Sequence, residues 1–257
     1  MPDVWIYVLL CLSAFAAGVV NAIAGGGTLL TFPALVWGLH GMQGAEAIAN
    51  MTSTVALVPG SAAGAWGYRR ELQGARPWLL LLLGPSLLGG VAGSLLLVWF
   101  PDIFSTVVPW LLLTAALLFL AQPYLNRWLP STGESTLPSN ALCGVVVVFQ
   151  FFVGVYGGYF GAGIGILMLS AFGLMGLHDI HRMNAVKIVL AAVINGVSVV
   201  VFVCIGRIEW RFAPVMAVAS IAGGFAGANL GRRLPRPLVR WTVILLGFGL
   251  AAYYFWK

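Results

Sequence analysis

The sequence predicts an all-α, polytopic membrane helix bundle of two inverted-topology repeats, with eight long apolar helices and two short broken or re-entrant ones. Three observations predict it. Of 257 residues, 61% are hydrophobic and 8% are charged, whereas about a quarter of the residues in a soluble domain carry charge. There is too little polar surface here to clothe a water-soluble globule. The apolar residues fall in nearly uncharged runs, most of them close to the ~20 residues of a spanning helix. The chain also resembles itself: SLLGGVAGSLLLVWFP (86–101) aligns with SIAGGFAGANLGRRLP (220–235) at a constant offset of 134.

The first run, Val4–Ala45, has no Lys, Arg, Asp or Glu and is about twice the spanning length, so it must fold back within the membrane. The reversal is expected at the glycines of NAIAGGGTLLTFPAL (21–35), because glycines loosen a helix and bare backbone groups find no water in lipid. A short second helix then starts between Thr28 and Pro33, with Thr28 or Thr31 as its cap and the proline tolerated in the first turn. The runs Ala47–Tyr68, Pro77–Pro101 and Ile103–Asn126 follow. Residues 1–121 form the first repeat, and QPYLNRWLPSTGESTLPSN (122–140) has the Pro, Ser and Asn content of a linker.

The second repeat, 141–257, opens with the other over-long run, Ser135–His178, whose break is expected in YGGYFGAGIGILML (156–169). Ile188–Gly206, Phe212–Gly231 and Trp241–Trp256 complete it. Asn50 pairs with Asn184 at the offset of 134, and Gly25 and Gly27 pair with Gly161 and Gly163 at 136. GGVAG (89–93) and GGFAG (223–227) read as seams for close helix packing.

Charge sets the orientation. If each glycine break adds a reversal, each half holds five membrane segments. Arg69, Arg70, Arg76, Arg127, Arg182, Arg232, Arg233, Arg236 and Arg240 then share one side, nine against the three of Arg207, Arg211 and Lys257. Basic loops mark the cytoplasm, so both termini are expected on the non-cytoplasmic side of the cell (inner) membrane. The net charge of +6 is explained by these loops, and no nucleic-acid partner is expected. A cleavable signal peptide is not expected either, since the first apolar run lacks a basic leader and outruns a normal signal core.

A helix that starts inside the membrane offers unpaired backbone N–H groups and the positive end of its dipole, which together favour an anion. Matching interrupted helices in two inverted halves point to a transporter's central site. The expected backbone contributors are Gly25, Gly26, Gly27, Thr28, Gly161, Ala162 and Gly163. Side-chain donors come from Asn21, Asn50, Ser53, Thr54, Asn184 and Asn195, several of them on polar stripes at helical spacing. Lys187 supplies charge. An ammonium at a helix centre costs about 2.5–3.5 kcal/mol to insert and usually needs a partner or a task, and no carboxylate lies deep in any run.

The remaining residues carry less chemistry. His40, His178 and His181 fall in loop-like positions, and Cys11, Cys143 and Cys204 lie in separate apolar runs, so neither a metal site nor a disulfide framework is expected. The histidines are peripheral and no Asp or Glu lies deep in a run, so no catalytic trio shares one, and no GxxxxGK[ST] sequence occurs. The chain reads as a non-enzyme without cofactors. Its expected partners are a small anionic substrate and the lipid bilayer, and a homo-oligomer is compatible with the sequence.

At GVVNAIAGGGTLLTFPAL, IANMTSTVALVPGSAAGAWGYRREL, RMNAVKIVLAAVINGVSVVVF and GGFAGANLGRRLP the chain resembles the sulfite exporter TauE/SafE family of probable membrane transporters. The resemblance implies two repeated halves and movement of sulfur-containing anions such as sulfite or organosulfonates. Export by alternating access is the expectation; an anion channel, or an uptake transporter for a related organic anion, is the alternative. The copies differ where Lys187 in one faces Ser53 in the other, so the expected site is asymmetric.

Overall fold

Among the described residues of the computed structural model (4–23, 26–67, 72, 75–127, 140–174, 180–230 and 236–256) the chain forms ten helices and no strand. They are α1 (Val4–Ile23), α2 (Thr28–Gly38), α3 (Ala45–Gly67), α4 (Arg76–Trp99), α5 (Pro101–Arg127), α6 (Asn140–Tyr159), α7 (Ile164–Leu174), α8 (Ile180–Ile205), α9 (Ala213–Leu230) and α10 (Arg236–Trp256). Gly25, Arg69, Arg70, Trp128, the linker through 139, His178, Asp179, Arg232, Arg233 and Lys257 lie outside the described residues. The segment 122–127, expected as the start of the linker, continues α5 as helix.

Among the described residues four helices are long and apolar enough to cross a membrane: Val4–Ala22, Arg76–Trp99, Pro101–Ala121 and Arg182–Ile205. Shorter apolar stretches lie in α2, α6 and α9. The 23-residue α3 misses that bar for a visible reason. It carries Asn50, Thr52 and Ser53, and all three are buried against protein.

Each half has its short helix in second place, where α2 and α7 have 11 residues each. At 1.5 Å per residue that is about 16 Å, half of the ~30 Å hydrocarbon layer. α2 turns back along α1. A side chain at Gly27 would sit 2.5 Å from the Ala17 carbonyl oxygen, and one at Gly38 would sit 3.3 Å from Ile6.

Packing neighbours recur when the halves are exchanged. α1 lies on α9 as α6 lies on α4, α3 lies on α9 as α8 lies on α4, and α2 meets α10 as α7 meets α5. α3 packs on α8, and α5 on α10, across the middle. The seams match residue for residue. A methyl group at Gly89 would strike the Phe151 carbonyl and one at Gly223 that of Phe15; one at Gly93 would strike Val155, and one at Gly227 would lie 2.8 Å from Val19. Phe15 and Phe151, and Val19 and Val155, stand 136 apart. Small residues thus bring backbones together where lipid offers no hydrophobic drive.

The seams give a direct test. Gly93→Val forces α4 off α6 and should lower stability by about 1–3 kcal/mol, whereas Gly84→Ala meets nothing within 4 Å and should be neutral or better. Thermal unfolding of the detergent-solubilised variants, followed by the remaining monodisperse fraction, separates the two.

Candidate functional site

The first break is built by a side chain. The Asn21 carboxamide oxygen accepts the N–H groups of Gly26 (3.1 Å) and Gly27 (2.8 Å). Gly26 has φ 107°, a backbone state that costs glycine little and other residues much. Gly27 is the N-cap of α2 and no side chain caps the helix, so Thr28 and Thr31 do not play the capping part expected of them. Thr28 is simply the first helical residue. The backbone donors expected to face an anion at Gly26 and Gly27 are directed instead at Asn21, because this one carboxamide satisfies the amides that lipid cannot.

Thr31 has another partner. Its hydroxyl lies 2.6 Å from the Ser53 hydroxyl, and both residues are fully buried. On the same face of α3, the Asn50 amide donates to the Tyr159 carbonyl at the end of α6 (2.9 Å). Its Oδ1 is buried with no hydrogen-bond partner among the described residues. Other members of the polar stripes turn inward to their own helices: Thr54 to the Asn50 carbonyl, Ser61 to Leu57 and Ser198 to Ile194.

The second break uses different chemistry at the corresponding place. Gly161 and Gly163 have φ of 83° and 80°. The amides of Phe160 and Gly161 both donate to the Tyr156 carbonyl (2.9 and 3.2 Å), and the Tyr156 hydroxyl donates to the Ala162 carbonyl (2.8 Å). Asn195 Oδ1 lies 3.7 Å from where a methyl at Gly161 would stand. Asn195 therefore borders the break.

Lys187 is 8% exposed. Its ammonium donates to Asn184 Oδ1 (2.9 Å), one turn earlier on α8. Its stem lies along Gly165, where a methyl group would come within 3.0 Å of Cδ. The glycine in the first turn of α7 thus makes room for the lysine.

The two breaks meet at one ring. A side chain at Gly26 would lie 2.5 Å from the tip of Phe119, and one at Gly163 would lie 3.9 Å from the same ring. Phe119 of α5 is fully buried and sits with Phe32, Phe104 and Phe160 in one apolar core. Phe32 and Phe160 stand edge to face at 5.9 Å. The structure thus places Asn21 with Gly26 and Gly27 at the first break, Asn50 and Ser53 of α3 against Tyr159 and Thr31, Asn195 beside Gly161 at the second break, next to Ala162 and Gly163, and Asn184 with Lys187 beside the first turn of α7. Thr54 bonds within its helix, to the Asn50 carbonyl.

Sequence reasoning missed Phe119, the Tyr156 hydroxyl and the Tyr159 carbonyl. Tyr156 and Tyr159 flank the glycines of the second break and could have been found there; no local signal marks Phe119. Among the described residues no group of three or more His, Cys, Asp or Glu stands ready for a metal ion.

The profile of the sulfite exporter TauE/SafE family matches residues 10–254. The chain belongs to that family. A relative from Haemophilus influenzae named probable membrane transporter protein is 31% identical over 249 residues, 95% of this chain and 92% of the relative. Escherichia coli K12 YfcA, also named a probable membrane transporter protein, is 28% identical over 88% of this chain and 82% of its own length. The Sinorhizobium probable membrane transporter protein ORF9 is 24% identical over 98% and 94%. No solved structure matches the chain. With these relatives and its apolar helices, this TauE/SafE member is a membrane protein of a transporter family.

Asn21 carries the first break of this family member, which gives a second test. Asn21→Ala leaves two buried amides open and should cost about 1–3 kcal/mol, while Asn21→Asp keeps an acceptor and should recover most of it. Thermal unfolding in detergent measures both.

Proposed function

We propose that the protein carries a small, sulfur-containing anion, such as sulfite or an organosulfonate, out of the cell by alternating access. The observation that carries this reading is the buried Lys187 ammonium beside the second helix break, where it donates to the neutral Asn184 amide. An anionic cargo supplies the negative charge that such a site favours. Asn50 adds an open acceptor in Oδ1 and a second amide hydrogen, a combination suited to an oxyanion with one protonated oxygen.

The halves read as inverted repeats. Support comes from the exchange-related neighbours and from five helices on each side of the linker, an odd number that reverses the second copy. In this topology the nine shared basic residues face the cytoplasm of an inner membrane, and both termini lie outside. Rocking of one repeat against the other would open the centre to each side in turn. Phe119, packed between the breaks, argues for an alternating site over a continuous pore. Against an interior-negative potential, leaving the cell gains an anion about 2.3 kcal/mol per charge per 100 mV. Export needs no further driving force.

In proteoliposomes, Lys187→Met should lose sulfite or sulfonate flux by an order of magnitude or more at normal protein level, and Lys187→Arg should recover part of it. Unchanged flux in the Met variant sinks the assignment. Counter-stimulated, saturable exchange by the parent is expected; linear flux without it would indicate a channel. Impermeant thiol labelling of single cysteines placed at the two ends should react from outside the cell for both.

A further inference from the structure

Away from the helix breaks, a cleft of about 540 Å³ opens between the α2–α3 turn and the segment joining α8 to α9. Met42, Gln43, Ile48, Arg207, Glu209 and Trp210 line it, with Gly206 and Ile208. We propose that this cleft is a second anion site, a portal where small inorganic anions pause between solvent and the centre, with Arg207 as its cation. The proposal rests on the anion-transport reading above.

Three observations carry it. The first is charge. Glu209 is the acidic residue of the wall, and it is already engaged: its Oε1 accepts Arg211 Nε at 2.7 Å and its Oε2 accepts Arg211 Nη2 at 3.0 Å. Those hydrogen bonds hold the Glu209 carboxyl below the ordinary carboxylate range. Arg207 makes no ion pair among the described residues. With Glu209 neutralised by Arg211, the cleft keeps the positive charge of Arg207 uncompensated among the described residues, and concave walls focus such a field on arriving ions.

The second is position. The 206–210 segment lies across α3 at the level of the central site. Gly206 packs on Met51, whose sulfur is 3.2 Å from where a methyl would stand, and the Glu209 amide donates to Thr52 Oγ1 at 3.0 Å. Met51 and Thr52 stand between Asn50 and Ser53 in the chain. The wall of the cleft is thus fastened to the turn of α3 that bears Asn50 and Ser53 on its other face, and Ile48 of the same helix lines the cleft.

The third is the lining chemistry. Gln43 supplies an amide donor and Trp210 an indole N–H, both able to serve oxyanion oxygens and neither able to add negative charge.

Binding is read first, apart from transport. Sulfite or sulfate is titrated into the detergent-solubilised full chain while the Trp210 share of the fluorescence is followed, taken as the difference between parent and Trp210→Phe. A saturable, salt-sensitive change that Arg207→Gln loses and Arg207→Lys keeps supports the portal. No saturable change overturns it. Flux is read second, in oriented proteoliposomes with anion on one face at a time. Arg207→Gln should raise the half-saturating concentration roughly three- to tenfold on the face of the cleft at low ionic strength. The other face should be unchanged, and the difference should vanish near 1 M salt, where the screening length is about 3 Å. An equal rise on both faces, or none, overturns the portal. Should Lys187→Met leave flux intact while the Trp210 signal persists, the central-site reading fails and the portal stands.

Discussion

A helix that stops inside a bilayer leaves amides and carbonyls that no water can reach, and the rest of this molecule is arranged around meeting that demand twice. At the first break one carboxamide, Asn21, takes the two glycine amides. At the second, Tyr156 does the work from both ends, its carbonyl accepting two amides and its hydroxyl closing on Ala162. Once those groups are met, an 11-residue helix can follow each break without leaving bare backbone groups behind it. Polar residues of the neighbouring long helices, Ser53 of α3 and Lys187 of α8, then pack against the short ones, on Thr31 and Gly165.

Holding two such interruptions at one level requires close-packed helices around them. The glycine seams provide it, since α4 on α6 and α9 on α1 approach until a single methyl would strike a facing backbone. Phe119 then sits between the breaks, with the tip of its ring against Gly26 and the same Cε2 edge near Gly163. Seams on the outside and an aromatic core in the middle make the interior a place where side chains have one arrangement. That rigidity gives a buried lysine a defined position.

Much of this was legible in the chain. Over-long apolar runs broken by glycines located both short helices, and the offsets of 134 and 136 foretold which seams would match, because close packing demands small residues at fixed registers. The roles of the break residues were less legible. GGG looks the same whether its amides are open or taken, and only the fold brings Asn21, five residues earlier, onto Gly26. Thr31 read as a cap but pairs with Ser53, 22 residues away. Hydrogen-bond partners are settled by tertiary packing, to which local spacing is blind, and Phe119 is invisible for the same reason.

The two halves agree where they pack and differ where they are polar, and the difference has a physical direction. Asn50 and Asn184 occupy matching places, yet the residue one turn on is Ser53 in one copy and Lys187 in the other. Ser53 finds a hydroxyl within its own half, at Thr31. The lysine requires extra volume, which Gly165 provides, and an acceptor, which Asn184 provides. Seam positions cannot drift apart without parting the helices, so a duplicated fold can acquire a one-sided charge only at positions where a break has already opened room. The asymmetry of the centre follows from the same constraint that made the breaks: in a medium without water, a charge can be placed only where the protein itself supplies its surroundings.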